Sequence, residues 1–156
     1  AGPRHVAVSM ARFYVVAELS NEVFVLAIDA ASKPMILSRL SCLPDQAGGL
    51  SEAAEIALDP QFPALWVSNR GQDALVRIPF SGDDLLPLSA WTSVGAHPRH
   101  FWLSTLWLLI AAKDDDVVLA MRRDEQGLPD VQSAQRIRIP SPVFILPLAQ
   151  GDIETS

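Results

Sequence analysis

The sequence predicts an all-β fold, and three features of its 156 residues point there. Short runs of Val, Ile, Leu and aromatic residues alternate with turn residues, and none keeps a sustained 3.6-residue period. Examples are Phe13–Ala17, Val23–Ile28, Leu65–Ser68, Leu106–Ala111 and Val117–Met121. Twelve prolines are scattered along the chain and work against long helices. A polar residue followed by an apolar strand recurs at His5, Glu55 and His100, spaced by 50 and then 45 residues. Four strands in about 45–50 residues, repeated, is the pattern of propeller blades. The expected architecture is therefore a partial β-propeller of about three four-stranded antiparallel blades.

The elements follow from the repeat. Residues 1–150 form the partial propeller, with blade-like units at about 1–45, 53–95 and 98–140, and 151–156 form a disordered tail. The first strands are His5–Ser9, Glu55–Asp59 and His100–Ser104. The second strands, Tyr14–Ala17, Trp66–Asn69 and Leu109–Ala112, each run into a charged residue: Glu18, Arg70 and Lys113. Third strands begin at Val23, Ala74 and Val117, and fourth strands fall at Met35–Cys42, Leu86–Ser93 and Val131–Ile139. The best helix candidate, Ser51–Ile56 after Gly48-Gly49, is short and overlaps a first strand. The first hairpins of units one and three are two residues shorter than that of unit two. Their turns, centred near Ser9-Met10 and Ser104-Thr105, lack the Gly or Asn that tight hairpins prefer, so strain is expected there. An open arc of blades leaves unpaired edges and faces, which calls for missing blades or self-association.

Composition excludes several classes. A net charge of −6 disfavours nucleic-acid binding, which needs a basic footprint. A single cysteine, Cys42, excludes a disulfide scaffold and suits a reducing, cytoplasmic setting; it falls in a strand-like run and is expected to be buried and inert. The most apolar run, Trp102–Ala112, is about half the ~20 residues a membrane span requires, so no membrane association is expected. No secretory leader pattern is visible, and the chain opens in what reads as mid-motif. There is no Gly-x-Ser-x-Gly elbow, no Gly-rich phosphate loop and no zinc-ligand spacing. Asp114-Asp115-Asp116 lacks the spaced ligands of a calcium loop and reads as a solvated turn. Arg122-Arg123, Arg136 and Arg138 read as surface charges, and Trp66, Trp102 and Trp107 as blade packing.

In a propeller, equivalent repeat positions converge at one end of the central channel. That places His5, Glu55 and His100 in one set and Glu18, Arg70 and Lys113 in a second, with Arg4 and Arg99 beside the first. Arginine recognises carboxylate or phosphate bidentately. A glutamate between apolar walls can serve as general base, and histidine exchanges protons near neutrality. The combination suits a small anionic substrate with an ester or enol centre. The alternative is that the charged residues are solvated loop positions, or that Glu55 and Arg99 belong to a salt-bridge ring holding blades together.

Six segments occur in one order: Gly2-Pro3-Arg4-His5-Val6-Ala7, Tyr14-Val15-Val16-Ala17-Glu18-Leu19-Ser20, Ala54-Glu55-Ile56, Val67-Ser68-Asn69-Arg70-Gly71, Pro98-Arg99-His100-Phe101 and Pro140-Ser141-Pro142-Val143. Together they resemble the lactonase family of seven-bladed β-propellers, which includes bacterial-type 6-phosphogluconolactonase and fungal 3-carboxymuconate cycloisomerase. The resemblance implies a cofactor-free, metal-independent enzyme acting at the channel mouth. It implies that Arg4 and Arg70 bind the anionic group and that Glu18 is the acid/base. It further implies a histidine from a blade that would precede Gly2. His5 is counted with the catalytic set, and Glu55, Arg99 and His100 with substrate binding. The preferred activity is hydrolysis of a sugar-phosphate lactone such as 6-phosphogluconolactone. The alternatives are a cycloisomerase acting on a carboxylated muconate, or a non-catalytic propeller scaffold.

Overall fold

The computed structural model describes residues 1–44 and 47–148 and contains three antiparallel sheets in chain order. The first sheet is β1 (Pro3–Ser9), β2 (Arg12–Ala17), β3 (Glu22–Ile28) and β4 (Pro34–Ser41), each paired with the next. The second is β5 (Glu52–Leu58), β6 (Ala64–Arg70) and β7 (Ala74–Ser81), followed by the two-residue β8 (Asp84–Leu85) and by β9 (Ala90–Ser93), both paired with β7. The third is β10 (Pro98–Leu103), β11 (Trp107–Ala112), β12 (Val117–Arg123) and β13 (Pro129–Arg138), with a turn of 3-10 helix at Lys113–Asp115. This is the expected partial propeller of three blades.

Side-chain alternation builds the packing. Successive residues of a strand face opposite sides of its sheet. In β6, Leu65 and Val67 join Val16, Val23, Val25, Val76 and Ile78 in a core between the first and second blades. Trp66, one residue out of phase, joins Leu75, Ile110, Leu119 and Met121 in a core between the second and third. Every residue of β6 is buried, because the middle blade is covered on both faces. The first blade is covered on one face only, and Val6, Val8, Ile28 and Ile36 of the other remain exposed.

Several expectations are corrected. The helix candidate at Ser51–Ile56 lies almost wholly in β5: Glu52 and Ala53 pair with β6, and Ala53, Ala54 and Ile56 are buried between sheets. The fourth strand of unit two is confined to Ala90–Ser93 rather than starting at Leu86. Leu86 N–H donates to Pro79 O, Pro87 has no N–H to give, and pairing resumes where Ser89 N–H donates to Arg77 O at 2.9 Å. Both short hairpins close one residue later than expected. Met10-Ala11 turns between the paired Ser9 and Arg12, and Met10 takes φ 52°, the strain anticipated for this turn. The other turn, at Thr105-Leu106, avoids it. None of Ser104–Trp107 has a positive φ, and Ser104 Oγ accepts from Trp107 N–H at 3.1 Å.

Arg123 is not a surface charge. It is buried and paired with Oδ2 of buried Asp59, which also accepts from Trp66 Nε1–H at 2.8 Å, while Asp59 Oδ1 accepts from Gln61 N–H at 2.9 Å and Phe62 N–H at 3.3 Å. Arg123 also donates to Gly127 O at 2.9 Å and to Ser104 O. Asp59 leaves β5 and Arg123 ends β12, so the cluster ties blade two to blade three. Arg122, Arg136 and Arg138 are exposed as expected, with the Arg122 guanidinium 5.6 Å over Trp107. The acidic turn does more than face solvent: Asp115 accepts from Ala96 N–H at 3.1 Å and Asp116 from Ser141 N–H at 2.8 Å. Trp66 is buried in the core, and Trp102 and Trp107 are half-buried. Cys42 is buried, and burial pushes its thiol up to about 12. The tail expected at 151–156 lies outside the described residues.

Candidate active site

The first strand of every blade carries a β-bulge at the same place. Register shifts between Pro3 and His5 in β1, between Ala53 and Ile56 in β5, and between Pro98 and His100 in β10. A bulge interrupts strict alternation and re-aims side chains. Here it lets two consecutive residues of β1 both reach blade two: Arg4 through Glu18 to Arg70, and His5 directly to Glu55. His5 pairs with Val16 and His100 with Ala111, the positions equivalent to Ser68 beside Glu55, so the repeat register read from sequence holds.

The first cluster joins the three inner strands. Glu55 Oε2 lies 2.6 Å from His5 Nδ1 and 3.3 Å from His100 Nε2. Glu55 Oε1 accepts from Ile56 N–H at 3.0 Å. The far nitrogen of His100, Nδ1, lies 3.3 Å from Ile145 N–H, and Phe144 packs on its ring at 4.1 Å. Burial pushes the Glu55 carboxyl above its ordinary range, against the opposing pull of His5. Burial, with the charge of His5, pushes His100 down to about 4, so His100 is neutral at pH 7.

The second cluster lies at the end of the sheets where inner strands begin and second strands finish. Glu18 Oε1 accepts from Arg4 Nη1 at 3.1 Å and from Arg70 Nη2. Arg70 Nη2 also lies 3.2 Å from Glu52 Oε2, and its Nε donates to Glu52 O at 3.4 Å. The Arg70 hydrogen bond, reinforced by Arg4, holds the Glu18 carboxyl below the ordinary range despite partial burial. Arg4 Nε is buried without a hydrogen-bond partner. Beside Arg70 opens a cavity of about 420 Å3 lined by Leu19, Leu50, Ser51, Glu52, Arg70, Gly71 and His97. Gly71 shapes its wall at φ 84°, where a Cβ would strike the Leu50 carbonyl oxygen.

Arg4, His5, Glu18, Glu55, Arg70 and His100 are thus brought together in two adjoining clusters. Lys113 is not: its 3-10 turn sends it to the neighbouring Asp114 at 2.7 Å. Arg99, expected with the substrate-binding set, has no carboxylate within ion-pair distance among the described residues, so the alternative, a salt-bridge ring through Glu55 and Arg99, is not made. Glu55 is satisfied by two histidines instead. Sequence reasoning missed Glu52 and His97. Glu52 opens β5 opposite Arg70, which strand pairing alone would have shown. His97 sits at φ 54° before β10, with Nδ1 3.4 Å from Asp114 Oδ2. Among the described residues no group of three or more His, Cys, Asp or Glu side chains is arranged to hold a metal ion.

The fold and these clusters define a β-propeller with arginines and paired proton-exchanging groups at the channel end. The chain belongs to the lactonase family of 7-bladed β-propellers, whose family model matches residues 1–147. It is 36% identical over 104 residues to an uncharacterised protein of Staphylococcus epidermidis, covering 64% of this chain and 30% of that protein. It is similar in structure to the periplasmic gluconolactonase of Pseudomonas aeruginosa, with a TM-score of 0.82 and 28% identity over 92% of this chain and 41% of that one. A Bacteroides uniformis protein provisionally described as a 6-phosphogluconolactonase gives a TM-score of 0.76 and 26% identity over 92% of this chain and 43% of that one. The chain thus spans under half the length of these structures and about a third of its curated relative.

Proposed function

We propose that the site belongs to a lactonase that hydrolyses a sugar-phosphate lactone, with 6-phosphogluconolactone the first substrate to try. The observation carrying this reading is the convergence of Arg4 and Arg70 on one oxygen of Glu18 beside an open cavity, with Arg4 Nε still unpartnered. A buried arginine donor without an acceptor suits a substrate anion. The two guanidiniums hold the substrate anion and stabilise the developing oxyanion, and Glu18 takes the proton of the attacking water. The reaction as proposed runs on side chains alone, without metal or cofactor.

Glu18→Gln tests it. The variant keeps an acceptor for both arginines but has no carboxylate, so lactone turnover is expected to fall about 100-fold or more with the melting temperature nearly unchanged. Undiminished turnover removes Glu18 from the chemistry. Wild-type activity on 3-carboxymuconate and none on lactones transfers the site to the cycloisomerase reading, and no turnover of either supports a binding scaffold. The uncovered apolar face of blade one is, in this reading, covered by a further blade. Sedimentation of the chain as a stable dimer would show that a second copy covers it instead. The single unpaired cysteine supports a cytoplasmic location, which cell fractionation tests.

A further inference from the structure

His5 and Glu55 stand outside the arginine cluster, and their hydrogen bonds assign their protons. His100 Nδ1 receives the Ile145 N–H, so a neutral His100 carries its proton on Nε2 and donates it to Glu55 Oε2. Glu55 Oε1 receives the Ile56 N–H. Both Glu55 oxygens are therefore occupied by donors, and the shared proton of the 2.6 Å contact sits on His5 Nδ1. That leaves His5 Nε2, on a side chain 35% exposed, without a partner among the described residues. An imidazole whose inner nitrogen is bound by a carboxylate is fixed in ring orientation and tautomer, and its outer nitrogen can deliver or accept a proton. The groups around it are Arg4 on its own strand, Glu55 from β5 and His100 from β10. Beyond Arg4 lie Glu18, Arg70 and Glu52.

We propose that His5, held by Glu55, is the proton donor to the leaving oxygen in this site, with Glu55 and His100 as positioning residues and Glu18 as the base for water. The inference rests on the lactonase reading and divides its two proton transfers between two groups. Water oxygen bonds to the lactone carbonyl carbon while Glu18 takes the water proton. The ring C–O bond then breaks, its electron pair stays on the ring oxygen, and His5 Nε2 protonates that oxygen. The products are the open hydroxy acid, protonated Glu18 and neutral His5, and the proton returns from Glu18 to His5 through solvent. The two environments suit these duties: Glu18 is kept ionised by two arginines, and the 2.6 Å contact with Glu55 fixes the His5 ring through Nδ1 and leaves Nε2 free.

Two measurements test it. With 15N-labelled histidine the chain shows only three imidazoles. Neutral His5 is expected to carry its proton on Nδ1, and in Glu55→Ala the proton is expected to move to Nε2. A wild-type Nε2–H tautomer at His5 overturns the proposal. Turnover of an alkyl δ-lactone is then compared with that of an aryl lactone, whose phenolate departs without a proton. His5→Gln is expected to slow the alkyl lactone about 100-fold and the aryl lactone only a few-fold. Equal loss on both substrates overturns the donor role and leaves His5 structural. A wild type inactive on both lactones overturns the lactonase reading and the donor role with it, while the tautomer still decides whether Glu55 holds His5.

Discussion

Glu18 and Glu55 are two carboxylates of one site with opposite surroundings. Two guanidiniums hold the first ionised, and apolar walls favour the neutral form of the second. His100 is the residue whose titration should be most visible. Its folded value of about 4 lies below the ordinary histidine value, so the unfolded chain binds more protons between about pH 6.5 and 4. Stability therefore rises with pH across that window and is lost on acidification, by up to about 3 kcal/mol from this group. Glu55 acts in the other direction, contributing stability that is lost as pH rises through its elevated folded value. Urea denaturation at pH 7 and pH 4.5 should show wild type losing more stability than His100→Gln, and equal losses would remove His100 as the cause. None of this was legible at the residue scale. The sequence marked all the site residues except Glu52 and His97, but which histidine meets Glu55 depends on a contact between strands 50 and 45 residues apart.

At the scale of elements the repeat was readable because strand alternation and turn chemistry are local. The three bulges were not: a bulge shows in the pairing register, and Pro-Arg-His marks it in only two of the three blades. The short β1–β2 hairpin was predicted to be strained, and its strain sits on Met10. Met10 is fully exposed, so replacing it disturbs no packing. Met10→Gly should stabilise the chain by about 0.5–1 kcal/mol, because glycine adopts a positive φ without steric cost. The midpoint of chemical denaturation measures this. The β10–β11 hairpin offers no such gain, since its serine-bonded turn has no left-handed residue. Gly71 is the contrary case: Gly71→Ala should distort the cavity wall, because the added Cβ meets backbone oxygen rather than a movable side chain.

At the scale of the molecule the blades are joined by two apolar cores and by Asp59–Arg123. Removing one partner of a buried pair strands the other charge. Arg123→Met should therefore cost about 3–5 kcal/mol, a loss that for a domain of this size lowers the melting temperature by on the order of 10 °C. Asp59→Asn with Arg123→Met should recover part of the loss, because the stranded charge is gone. A thermal melt of the single and double variants beside wild type checks both, and a single mutant melting like wild type would show that the pair does not join the blades. The first blade's exposed Val6, Val8, Ile28 and Ile36 are a different kind of whole-molecule feature. They are apolar because β1, β3 and β4 are patterned for cover on both faces, as β6 has in the middle blade.

By itself the sequence determined the all-β class, the three-blade repeat and the register that lines up His5, Glu55 and His100. These follow from periodicity, which each short segment carries independently of the others. Tertiary structure alone decided that Glu18 is shared by two arginines, that Arg123 is buried rather than solvated, and that Lys113 and Arg99 stand apart from the carboxylates of the site. Each of those outcomes depends on side chains from different blades meeting at hydrogen-bond distance. A charge's partner and its solvent are set by that meeting, and residue type and spacing do not encode it.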